Sequence, residues 1–111
     1  VLRTVDKLLT GAVSMDIYEV KAACEALGGV AVPAHVEKDS YALLSVLGFL
    51  PEDLPFAAVE LHDASRLDGL VEKGLLPAGL EVLSSSDAHR MEDVACSLHA
   101  LAADSVLRRL L

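Results

Sequence analysis

Two short apolar runs constrain this chain more than any other feature: Gly28-Gly29-Val30-Ala31-Val32 and Leu80-Glu81-Val82-Leu83. Each leaves a glycine-containing turn, and each ends in polar chemistry, Pro33-Ala34-His35 in one case and Ser84-Ser85-Ser86-Asp87-Ala88-His89 in the other. Both read as buried strands of a parallel sheet, in which neither face meets water. In repeated β-α units all strands run the same way. Their carboxyl ends therefore share one face, where open α/β sheets and barrels place their chemistry. That geometry brings His35 to the same face as Asp87 and His89. In extended backbone, residues i and i+2 also point the same way, so Asp87 and His89 can converge on one point. A carboxylate oxygen and imidazole nitrogens meeting beyond strand ends suit Zn²⁺, Mn²⁺ or Fe.

Pro33-Ala34-His35 together with Ser85-Ser86-Asp87-Ala88-His89 resembles the last two motifs of the PHP (polymerase and histidinol phosphatase) domain family. The likeness runs from about Ser14 to the end, and Ser-Asp-Ala-His after a buried strand is its most specific part. It implies an α/β fold, the C-terminal part of a distorted β/α barrel of parallel strands with covering helices. It also implies metal-dependent phosphoesterase chemistry. Family members open with a His-x-His motif, whereas this chain has four histidines, at 35, 62, 89 and 99, none so spaced. Residues 1–111 are thus expected to form a single partial PHP domain lacking the N-terminal metal-binding motifs.

Composition limits the alternatives. Hydrophobic residues make up 53% of the 111, which supports a heavily buried core and opposes disorder. Aromatics are 4% with no Trp, so that core is aliphatic. A formal charge of −8 disfavours nonspecific nucleic-acid binding, which needs a basic footprint. It leaves a phosphorylated small molecule or nucleotide open as substrate, because bound divalent cations reverse the local sign. The longest stretch without a formal charge, Ser40 to Pro51, is too short to span a bilayer. Cys24 and Cys96 lack metal-type spacing and sit in apolar patterns, so buried free thiols and a cytoplasmic setting are expected.

Taken in order, Val1 to Leu9 has a helical face ended by Gly11. Ser14 reads as the N-cap of a helix whose buried stripe is Ile17, Val20, Ala23, Cys24 and Leu27. Gly28-Gly29 turns that helix into the first strand, with Pro33 tolerated at its end. Ser40 caps a short helix from Tyr41 to Leu47, closed by Gly48, and residues 49–55 form a loop. Ala57 to Leu61 is the second strand, ending in His62-Asp63. Asp63 or Ser65 caps a helix through Lys73 with Leu67, Leu70 and Val71 inward and Gly74 at its end. Leu80 to Ser84 is the third strand. Beyond it, Met91 to Leu111 is open to two readings: one long helix, or, as the alternation of Cys96, Leu98, Ala100 and Ala102 favours, a turn of helix, a strand from about Cys96 to Leu101 carrying His99, and a helix capped by Asp104 or Ser105.

The expected metal ligands are therefore His35, Asp87 and His89, with Asp87 and His89 catalytic. Lys38 and Arg90, cationic and just beyond the ligands, suit phosphate oxygens or are surface charges. Glu37, Glu60 and His62 are read as supporting residues behind the ligands; Glu60 in an otherwise apolar strand needs partners. Ser84 to Ser86 are not nucleophiles, since no base is spaced to activate them and no Gly-x-Ser-x-Gly elbow is present. The expected function is hydrolysis of a phosphate ester by metal-activated water, with the fragment inactive alone. The alternatives are a non-catalytic PHP-derived binding or scaffold module and another amidohydrolase-like metal hydrolase. Unpaired strand edges, at Val30 to Val32 and Leu80 to Leu83, and open helix faces predict self-association of the fragment.

Overall fold

A computed structural model of the chain describes Thr4, Asp6, residues 12–94 and residues 101–110. At its centre lie β1 (Ala58–Leu61) and β2 (Glu81–Ser84), paired in parallel with Val59 opposite Val82 and Glu60 opposite Leu83. Ala58, Val59 and Leu61 are fully buried, so β1 is covered on both faces, as its largely apolar composition, interrupted by Glu60, predicts. The two strands begin one residue later than expected and end where the turn residues begin. The molecule is an α/β domain with a small parallel sheet.

The expected first strand is not a regular one. The chain between Gly29 and Ala34 runs along the free side of β1 and is joined to it at one residue. The Glu60 amide donates to the Pro33 carbonyl at 2.9 Å, and the Val36 amide donates to the Glu60 carbonyl at 3.1 Å. That order of partners is the parallel one. An ideal parallel bridge places two residues between carbonyl and amide partners, counting the second; here one more is inserted. His35 sits in that bulge with φ +34. Pro33 removes a ladder donor and the bulge breaks the repeat, so the segment pairs without becoming a strand.

Helix α1 (Ile17–Ala26) starts two residues later than the Ser14 reading requires. Asp16 is the N-cap: its Oδ1 accepts from the Glu19 amide at 2.8 Å, and Glu19 Oε2 accepts from the Asp16 amide at 2.9 Å. The glutamate three positions on decides between the two caps. The expected buried stripe is largely open. Ile17 and Cys24 are half-buried, but Val20 is exposed and Leu27 is 90% exposed. Cys24 is a free thiol, and a Cβ on Gly29 would lie 2.8 Å from its Sγ, so only glycine lets the chain turn this tightly against the helix.

Helix α2 (Leu43–Leu47) is also shorter than expected. Tyr41 has φ +55, a left-handed conformation that no helix can include, so Ala42 rather than Ser40 becomes the cap position. Ser45 Oγ serves there instead, accepting from the Ala42 amide at 3.3 Å and donating to the Ala42 carbonyl at 2.8 Å. Gly48, at φ +84, ends the helix as expected. Asp63 caps a 3-10 turn, Ala64–Arg66, that leads into α3 (Leu67–Glu72), whose Leu70 is buried with Leu67 and Val71 packed beside it.

The main cluster joins Val36, Val59, Leu61, Leu70 and Leu76 to Leu50 and Leu54 from the segment read as a loop, and to Phe56 just after it. The Leu50 amide donates to the Leu75 carbonyl at 3.0 Å, which fastens that loop beneath the sheet. After β2 come 3-10 turns at Met91–Asp93 and Val106–Leu110, the latter where a helix was expected. The predicted helix over 1–9, the strand over 96–101, Cys96 and His99 lie wholly or mostly outside the described residues. No helix among the described residues is long and apolar enough to cross a membrane.

Candidate functional site

Parallel pairing puts the ends of β1, β2 and the His35 bulge at one edge of the sheet, as the sequence predicts. Beyond β2 the chain passes Ser85 and Ser86 and reaches Asp87, which has φ +48. This unusual backbone turns the Asp87 carboxylate back across the edge toward the bulge. His35 Nδ1 lies 4.0 Å from Asp87 Oδ2, and the Lys38 ammonium forms an ion pair with the same oxygen. Both His35 and Asp87 are half-buried, so this pair is neither in bulk water nor in the core.

The electrostatics follow from those contacts. The Lys38 ammonium hydrogen-bonded to Asp87 holds its carboxyl below the usual carboxylate range, against an opposing effect of burial. The His35 and His89 rings pull the same way with smaller effect. His89 lies on the outer side of the turn. Its Nδ1 is 2.7 Å from the Asp87 carbonyl, which can only accept, so Nδ1 carries the proton and Nε2 is the basic nitrogen.

The remaining expected residues divide sharply. Glu60 belongs to the edge: its Oε1 accepts from Ser85 Oγ at 2.5 Å. Glu37 is 6% exposed but serves the other side of the bulge. Its Oε1 accepts from the Asp63 amide at 2.8 Å, and its carbonyl accepts from Arg66 Nη1 at 3.2 Å. Its Oε2 is buried without a hydrogen-bond partner among the described residues. His62 is exposed and Arg90 is exposed, and neither forms an ion pair with a described residue. Asp63 is committed to capping, and the Ser65 hydroxyl and amide hold its carboxyl below the ordinary range.

Ser85 is the residue that sequence reasoning passed over. The sequence marks it as part of the Ser-Ser-Asp-Ala-His motif and excludes it as a nucleophile; in the structure it acts as a link, donating to Glu60 and accepting from the Asp87 amide at 3.4 Å. The available signal was register: Glu60 pairs with Leu83, so Ser85 follows two places later on the same face.

The edge fits a divalent cation in donor chemistry, with an imidazole nitrogen and a carboxylate oxygen already facing each other. Among the described residues no group of three His, Cys, Asp or Glu side chains stands in metal-holding geometry. Two of the three expected ligands converge, and the lysine ammonium supplies the positive charge beside them. No family model, curated protein or solved structure matches the chain.

Proposed function

We propose that the chain is the C-terminal part of a PHP-type phosphoesterase, built on a distorted β/α barrel, that hydrolyses a phosphate ester with divalent metal. The observation that carries this reading is the approach of His35 to Asp87 from two separate chain segments flanking β1. His35, Asp87 and His89 would hold the cation, as the Pro-Ala-His and Ser-Asp-Ala-His motifs imply. When bound, such a cation brings the pKa of its water from about 15.7 to about 7. The protein's own contribution is charge and position. Asp87 stays ionised because Lys38 stabilises the carboxylate. Lys38 is the nearest cation for a phosphoryl group in a chain of charge −8, and it can serve that group once Asp87 has another partner. His89, fixed through Nδ1, offers Nε2 as a metal ligand or proton acceptor.

One observation favours a second reading. Lys38 already neutralises Asp87, which suits a non-catalytic module descended from the same fold. Hydrolysis of p-nitrophenyl phosphate by the full-length protein, with Mn²⁺ added, separates the two. Turnover that falls to background in Asp87→Ala supports the enzyme. Equal rates in the two proteins remove Asp87 from the chemistry.

A further inference from the structure

Glu60 is an anomaly in β1. It lies between Val59 and Leu61, both fully buried, in a strand whose other members are apolar. Its own side chain is half-buried and lies on the opposite face from those two neighbours. Its backbone is equally singular, because among the described residues its N–H and C=O alone join β1 by backbone hydrogen bonds to the segment that bears His35. The amide holds Pro33 and the carbonyl holds Val36, and the two bonds bracket the bulge. The side chain reaches the other half of the site. Ser85 Oγ donates to Glu60 Oε1, and the Asp87 amide donates to Ser85 Oγ.

Both residues so tethered have backbone conformations that an L-residue rarely adopts, φ +34 at His35 and φ +48 at Asp87. Such conformations persist only where the surroundings over-determine them. Glu60 contacts the surroundings of both. Glu37, the other carboxylate near the bulge, faces away from Asp87, accepting from the Asp63 amide instead.

We infer that Glu60 is the positioning residue of this edge: its carboxylate fixes Asp87 through Ser85, from the strand position whose backbone holds the His35 bulge. It touches no reacting group. The inference deepens the proposed function and rests on it in one respect, that His35 and Asp87 act together on a ligand.

The test combines two readouts on the full-length protein: the water-exchange rate of the Asp87 amide by NMR without metal, and the Mn²⁺ dissociation constant by EPR. Glu60→Ala and Ser85→Ala should each speed exchange at Asp87 and weaken Mn²⁺ binding about tenfold, the scale for residues that orient a ligand. The double variant should be no worse than either single one. Glu60→Gln should recover most of both, because its amide oxygen still accepts from Ser85. Additive losses, or a Glu60→Gln protein as impaired as Glu60→Ala, would overturn the inference. A wild-type protein that binds no Mn²⁺ removes the metal reading instead, and the exchange rates then decide the positioning role alone.

Discussion

Leu27 and Leu61 are both leucines that the sequence pattern sends to the core, and the structure separates them completely. Leu61 is fully buried at the end of β1, while Leu27 is 90% exposed at the end of α1. Leu61→Ala removes contacts with the main cluster and leaves a cavity, at a cost of about 2–5 kcal/mol. A domain of this size has a total stability of about 5–15 kcal/mol, so that loss is a large fraction. With a urea dependence of roughly 1.5 kcal/mol per molar, the midpoint should fall by about 1.3–3.3 M. Leu27→Ala removes no buried surface and should stay within about 0.5 kcal/mol of wild type, or about 0.3 M. Urea unfolding followed by circular dichroism reads both. Equal losses at the two positions, or a larger one at Leu27, would show that α1 is covered and that the account of the core is mistaken.

Acid should weaken the Lys38–Asp87 pair. Asp87 has its folded pKa depressed below the ordinary 3.8, so the stability it contributes is present above that value and lost as pH falls through the folded pKa. The melting-temperature difference between wild type and Lys38→Met should therefore vanish on acidification below about 3.8; a difference unchanged at low pH would contradict the pairing. Gly48→Ala tests the end of α2: with open space around a Cβ there, the cost is conformational alone, about 1 kcal/mol and several degrees of melting temperature. An unshifted melting curve would contradict the left-handed conformation at Gly48.

The strands after Ala57 and after Gly79 were legible because short apolar runs between turn residues have few other solutions. The ends of α2 and α3 were legible because glycine follows each. What failed depended on partners. A 3.6-residue period marks an apolar face on α1 but does not say what covers it, so Leu27 was misplaced. Leu50, Leu54 and Phe56 stand around two prolines with no regular strand period, yet they join the main cluster. The His35 strand was foreseen in place but not in form, because the bulge arises from its pairing with Glu60. At the site, the convergence of His35 and Asp87 followed from strand direction alone. The links from Lys38 to Asp87, 49 residues apart, and from Glu60 to Ser85 needed register and backbone twist.

Titration of Mn²⁺ into the protein, read by the EPR signal of the free ion, tests most directly whether this edge is a metal-binding site. Binding should occur in the wild type and be lost in Asp87→Ala and in the His35→Ala, His89→Ala double variant. It should tighten in Lys38→Met, where no ammonium competes for the Asp87 carboxylate. Binding that is the same in all four proteins would place the cation elsewhere and contradict the account.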